Sequence, residues 1–234
     1  VAPFVETDSS GEHRVDYNLY SRKVYGYGVP YSAERVFEEG YIAYFMMHSV
    51  AYRTALLQQM GYRQSEGISY TDQQWCFFPI FRVESLAFTD IALYRYNLTR
   101  EGQTMDSRVQ LKNIGQLSQV VVSMAEYLDN YGKELSTARY NFLAGVVMRR
   151  MQTVLRKYLL EMDDELFVRS DFENIYNHFK AVAPRELTVP VNGRLKVDLL
   201  ARWTRRASRY PSWVRAALLT ADKAMQRIYK LIFN

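Results

Sequence analysis

Apolar residues change their spacing near Met105, and that change limits the folds open to this chain more than any other feature. From Leu111 they recur every three or four positions, at Ile114, Leu117, Val121, Met124 and Leu128, then at Phe142, Val146, Met151, Leu155 and Leu159. That period lines one face of an α-helix. Before Met105 the apolar runs are short and broken by turn residues. The expectation is an α/β segment followed by a mainly α one.

Local signals place the elements of the first part. Ala2-Pro-Phe-Val5 reads as a strand already in progress, so we expect the chain to be a piece of a longer protein. Asp8-Ser-Ser-Gly11 reads as a turn, with short extended segments from His13 to Leu19 and from Lys23 to Tyr27. Ser32 is a helix start and Gly40 its interruption; a second helix spans about Tyr52 to Met60 and stops at Gly61. A loop, Glu66-Gly-Ile-Ser-Tyr70, leads to a helix from about Asp72 to Phe81, and strands follow over Ser85–Thr89 and Ala92–Asn97. In the second part Gly132 separates two helices, Pro184 and Pro190 bracket an irregular connection, and Pro211 divides the C-terminal tail into two helical pieces.

Composition narrows the class. With 48% hydrophobic residues the chain has ample material for a core, which excludes wholesale disorder. Nineteen tyrosines suit polar clefts and half-buried surfaces, because each ring carries a hydroxyl. Cys76 is the single cysteine, so no disulfide framework or cysteine-rich metal site can form within the chain, and a reducing, cytoplasmic setting is expected. Neither a secretory leader nor an apolar run of about 20 residues is evident. The net charge of +5 is concentrated in a basic tail beyond Arg194.

The informative stretch runs from His48 to Asp106. His48-Ser-Val-Ala-Tyr-Arg53 precedes Glu66-Gly-Ile-Ser-Tyr-Thr-Asp72; Leu93-Tyr-Arg-Tyr96 then leads into Arg100-Glu-Gly-Gln-Thr104. The order resembles family 2 glycosyltransferases of the GT-A type: an aromatic-basic helix, a glycine loop, an acid before an aromatic-rich helix, a strand with alternating tyrosines, and an arginine-glycine loop. The likeness covers a quarter to a third of the chain. It implies an incomplete GT-A-like (Rossmann-like) C-terminal half over residues 1–105, the acceptor side, and a helical accessory subdomain over residues 106–234 with a basic amphipathic tail.

By that resemblance Asp72 is the base that takes the acceptor hydroxyl's proton as the sugar leaves its nucleotide diphosphate with inversion. An aspartate, ionised at neutral pH, suits the task. Read from the residues alone, Thr71-Asp-Gln-Gln74 is instead a capping box, with Thr71 as N-cap, Gln74 reaching back and Asp72 facing the helix dipole. The family more often has Glu-Asp where this chain has Thr71-Asp72. Trp75, one turn on, is a ring for stacking on an acceptor sugar or a core residue beside Phe77, Phe78 and Phe81. His48 is a donor or acceptor contact or a structural histidine. Arg95 and Arg100 offer guanidinium forks to a diphosphate, with Gln103 and Thr104 in a loop closing over the donor; the other reading is a solvated loop.

GT-A enzymes hold a divalent metal on an Asp-X-Asp-like motif, and the sequence has none. Mg or Mn is therefore expected only in a full-length protein, bound by an N-terminal half outside these residues, and the fragment alone is expected to be inactive. Asp163-Asp164 reads as a helix end. The implied partners are a nucleotide-sugar donor, a saccharide or lipid-linked acceptor and that missing half, in bacterial surface polysaccharide synthesis. The basic tail, with Trp203, Tyr210 and Trp213 among its cations, suits an anionic membrane surface at the inner face of the cell membrane, a helical bundle or a homodimer; no nucleic-acid motif is present. The rival is a non-catalytic helical module that binds a protein partner or an anionic membrane surface, with Asp72 only a cap.

Overall fold

A computed structural model of the chain describes residues 1–16, 25–98, 107–183 and 212–233. It is a mixed α/β structure with about 56% helix and a small mixed sheet.

The sheet begins with a hairpin. Strand β1 (Phe4–Asp8) pairs antiparallel with β2 (Gly11–Val15), from Phe4 opposite Val15 to Asp8 opposite Gly11. Asp8 closes the turn as its Oδ1 accepts from the Ser10 amide at 2.7 Å and the Ser10 hydroxyl at 2.6 Å, a local bond that asparagine and aspartate favour in turns. On its other edge β1 pairs in parallel with β5 (Tyr94–Asn97). Parallel neighbours need a long crossover, and here that crossover carries the candidate site. Within it β3 (Pro30–Ser32) and β4 (Ser85–Ala87) form a separate antiparallel pair.

Helix α1 (Ala33–Glu39) starts after Ser32 and ends at Gly40, whose φ of 67° a residue with a Cβ adopts only with strain. The apolar run that follows is irregular. It sends Ile42 and Phe45 into the core and leaves Tyr41, Tyr44 and Met47 exposed, before a 3₁₀ turn at Met47–Ser49. Helix α2 spans Thr54–Gln59, and Gly61 follows with φ 60°.

The single helix expected from Asp72 to Phe81 is two pieces: α3 (Asp72–Trp75) and a 3₁₀ turn at Phe78–Phe81. Pro79 cannot donate to a continuing helix, and the tighter turn buries Ile80 and Phe81 together.

The mainly helical part contains α4 (Ser107–Lys112), α5 (Ile114–Tyr131), α6 (Thr137–Arg156) and α7 (Arg169–Val182). Gly132 lies between α5 and α6, where a Cβ would meet Leu128 and Tyr140 at 3.0 Å. Asp163 and Asp164 follow the π turn Lys157–Glu161 that ends α6, as expected of a helix end. One hydrophobic core runs across residue 105: Phe37 stacks on Phe142 with centroids 4.7 Å apart, and Phe81 packs edge-on against Tyr127.

The tail ends in α8 (Ser212–Phe233). Its Arg215 is buried, donating to the Met162 carbonyl at 2.8 Å and pairing with Asp164 at 3.1 Å. Val214, Leu218 and Leu219 pack on the core, so the start of α8 joins the helical bundle, while Trp213 is exposed. Pro184, Pro190, Trp203, Tyr210 and the first helical piece of the tail lie outside the described residues. Among the described residues, no helix is long and apolar enough to cross a membrane.

Candidate active site

Asp72 opens α3, and α3 packs against the 3₁₀ turn that carries His48. The same turn packs against β5. His48 lies between Tyr94 and Tyr96, its ring centroid 4.6 Å and 4.3 Å from theirs, and Phe4 meets it edge-on at 5.2 Å. Residues of like parity share a face of a strand, and Tyr94 and Tyr96 both turn toward the histidine.

Arg95, between them, does not join this group. Its guanidinium pairs with Glu12 of β2, on the other side of β1, and is 72% exposed. Arg95 and His48 are thus engaged on opposite faces of the sheet. The diphosphate contact expected of Arg95 has no geometry at the Asp72 side. Arg100, Gln103 and Thr104 lie outside the described residues.

The capping box does not form. Thr71 has helical backbone angles and makes no side-chain cap; its Oγ1 accepts from Gln64 Nε2 at 2.8 Å. Gln74, expected to reach back, turns to Ser65 instead: its Oε1 accepts from the Ser65 amide and its Nε2 donates to the Ser65 hydroxyl, both at 2.9 Å. Long-range partners have taken both capping side chains. Asp72 Oδ2 accepts from Gln73 Nε2 at 2.7 Å, and the carboxylate has no other hydrogen bond among the described residues. One oxygen is held by Gln73, and the other accepts no hydrogen bond among the described residues.

Around this carboxylate sit polar atoms that folding has dehydrated and left unpaired. His48 Nδ1 and the Tyr70 hydroxyl are buried with no hydrogen-bond partner among the described residues. Each such group costs about 1–3 kcal/mol, and native proteins pair almost all of them. Tyr70 also has a φ of 69°, the one positive φ outside glycine among the described residues; a bulky side chain there is strained by about 1–2 kcal/mol. Strain and unmet hydrogen bonds two residues from Asp72 are what a preorganised site contains.

Protonation in the cluster is coupled. Burial lowers the His48 pKa, and the Asp72 charge pulls it the other way; the ring is neutral at neutral pH, able to donate or accept. Burial, then Asp72, raises the Tyr70 and Tyr96 hydroxyls, which therefore stay protonated donors. Cys76 is pushed up to about 12 by burial first and Asp72 second, so it is no nucleophile.

Trp75 is half-buried, its ring meeting Tyr52 at 5.0 Å and Tyr62 at 5.9 Å, both edge-on, while its carbonyl accepts from the Tyr52 hydroxyl at 3.1 Å. It anchors an aromatic cluster at the far end of α3. Among the described residues no three His, Cys, Asp or Glu side chains converge as ligands would around a cation.

Tyr70 escapes a sequence reading because nothing in Ile68-Ser-Tyr70 marks a left-handed tyrosine. Replacing it with phenylalanine gives a direct check on the unpaired hydroxyl. Tyr70→Phe is expected to stabilise the fold by about 1 kcal/mol in urea titration, since it removes a buried donor that lacks an acceptor. A loss of stability instead shows that the hydroxyl is satisfied in solution.

In comparisons with known proteins, no family model, no curated protein and no solved structure matches this chain.

Proposed function

We propose that this chain is the acceptor side of an inverting glycosyltransferase of the GT-A type, with Asp72 as the base that deprotonates the acceptor alcohol. The observation that carries the reading is the Asp72 carboxylate. It has one oxygen held by Gln73 and the other unclaimed, beside two buried polar atoms that lack partners. Support also comes from the motif order between His48 and Asp106, of which His48, Asp72, Tyr94 and Tyr96 occupy one neighbourhood.

In the proposed reaction an acceptor hydroxyl approaches the free Asp72 oxygen. As the hydroxyl oxygen bonds to the anomeric carbon of the donor, the bond from that carbon to the nucleotide diphosphate breaks, the proton passes to Asp72 and the configuration inverts. His48 Nδ1 and the Tyr70 hydroxyl orient the acceptor by hydrogen bonds made only when it is bound; such positioning supplies several kcal/mol of rate enhancement. The nucleoside and sugar contacts of the donor and any Mg or Mn belong in this reading to residues outside those described, as does the choice of sugar. A lipid-linked or saccharide acceptor at the inner face of a bacterial membrane is the setting the reading favours.

The test is a panel of uridine, guanosine and thymidine diphosphate sugars, offered to the whole protein containing this chain together with a membrane extract as acceptor. Release of the nucleoside diphosphate with one donor, dependent on the extract, is expected. Silence with every donor, from folded protein, would overturn the reading and favour a non-catalytic module.

A further inference from the structure

Arg139 and Arg215 are structural: each is buried, donates to backbone carbonyls and pairs with a carboxylate, Glu34 for one and Asp164 for the other. Arg149 and Arg150, adjacent on α6, have no carboxylate partner among the described residues. Both guanidiniums instead lie 5.9 Å from the ring centroid of Tyr44. Arg149 also donates to the Ala43 carbonyl, which fixes one edge of its fork, and the fork has no other hydrogen bond among the described residues.

The backbone makes room for this arrangement. Gly145 stands one turn before Arg149, inside α6, where glycine costs about 1 kcal/mol relative to alanine. A Cβ at Gly145 would come within 3.3 Å of Arg149 Nη1. The helix carries a residue that weakens it at the position where a side chain would crowd the guanidinium by a few tenths of an ångström. Two like charges at one ring, both half-buried, repel each other and lose hydration unless an anion joins them. Burial first, and then Arg150, lowers the Arg149 pKa, in keeping with an uncompensated cation.

We propose that Arg149, Arg150 and Tyr44 form a binding site for a phosphoryl group. A single carboxylate carries charge to balance one guanidinium, whereas a phosphate or diphosphate has charge enough for two, and more oxygens to meet them. The position relates the site to the Asp72 neighbourhood without depending on catalysis there. Tyr44 precedes His48 by four residues in the same irregular segment, and the Cys76 thiol feels both the Asp72 charge and the Arg150 charge. The phosphoryl group is either that of a nucleoside diphosphate or that of a phosphate-bearing lipid.

Calorimetric titration of the whole chain with sodium pyrophosphate at low ionic strength tests the site. The double variant Arg149→Gln/Arg150→Gln is expected to weaken binding by about 30-fold or more, as loss of charge-assisted hydrogen bonds does. Gly145→Ala separates a built site from diffuse attraction. It keeps every charge, favours the helix and crowds the Arg149 guanidinium, and it is expected to weaken pyrophosphate at least threefold without lowering the melting temperature. Uridine diphosphate in solution, and phosphatidylcholine vesicles containing an isoprenoid monophosphate, distinguish the sources: whichever shows the same dependence on both arginines carries the group. Absence of pyrophosphate binding by the folded wild-type chain, or affinity unmoved by Gly145→Ala, would overturn the proposal. Neither result bears on Asp72.

Discussion

Arg139→Ala is expected to destabilise the fold by about 3 kcal/mol, lowering the melting temperature by on the order of 10 °C. Arg139 is buried, and its guanidinium donates to the carbonyls of Ile80, Phe81 and Val83 at 3.3, 2.9 and 2.7 Å while pairing with Glu34 at 2.6 Å. Those carbonyls end the 3₁₀ turn after α3, where the Pro79 break leaves them without helical partners. One side chain of α6 thus ties down the segment following Asp72 and also holds α1 through Glu34. Truncation strands three acceptors and unbalances one carboxylate, although Glu34 is partly exposed and regains some hydration, which keeps the cost at the low end for a broken buried pair. Arg139→Lys keeps the charge but cannot reach three carbonyls at once, and an intermediate loss is expected. Thermal unfolding followed by circular dichroism reads both values; a loss under 1 kcal/mol for Arg139→Ala would show that water replaces the guanidinium.

What was legible in the sequence is what local chemistry decides. Gly40, Gly61 and Gly132 end helices where punctuation placed them, and the apolar period beyond Leu111 became the long helices α5 and α6. The motif order pointed to Asp72 and His48, and the fold brings their segments into contact. Misreadings arose where a distant partner outbid a local one. Thr71 and Gln74 fit a capping box in spacing, yet Gln64 and Ser65 hold their side chains. Arg95 was legible in hindsight: strand alternation cannot put Tyr94, Arg95 and Tyr96 on one face, and the tyrosines took the side facing His48. The pairing of Arg149 and Arg150 with Tyr44 joins segments far apart in sequence, which no short pattern encodes, and nothing in the residues around Tyr70 marks its left-handed backbone.

Asp72→Asn is expected to remove about three orders of magnitude from kcat, within the range that a positioned general base supplies. Asparagine keeps the shape and the bond from Gln73 but cannot take a proton. Stability changes little, by under about 1 kcal/mol, since the capping box is not formed and the carboxylate accepts a single side-chain hydrogen bond. Donor affinity is unaffected, because in this reading the donor sits on other residues. Asp72→Glu, one methylene longer, retains a base in the wrong place and gives an intermediate rate.

The decisive quantity is therefore the turnover number of the Asp72→Asn protein at saturating donor and acceptor, taken beside its melting temperature. We expect it to drop about a thousandfold with melting unchanged; turnover within twofold of wild type would contradict a proton-accepting role for this carboxylate.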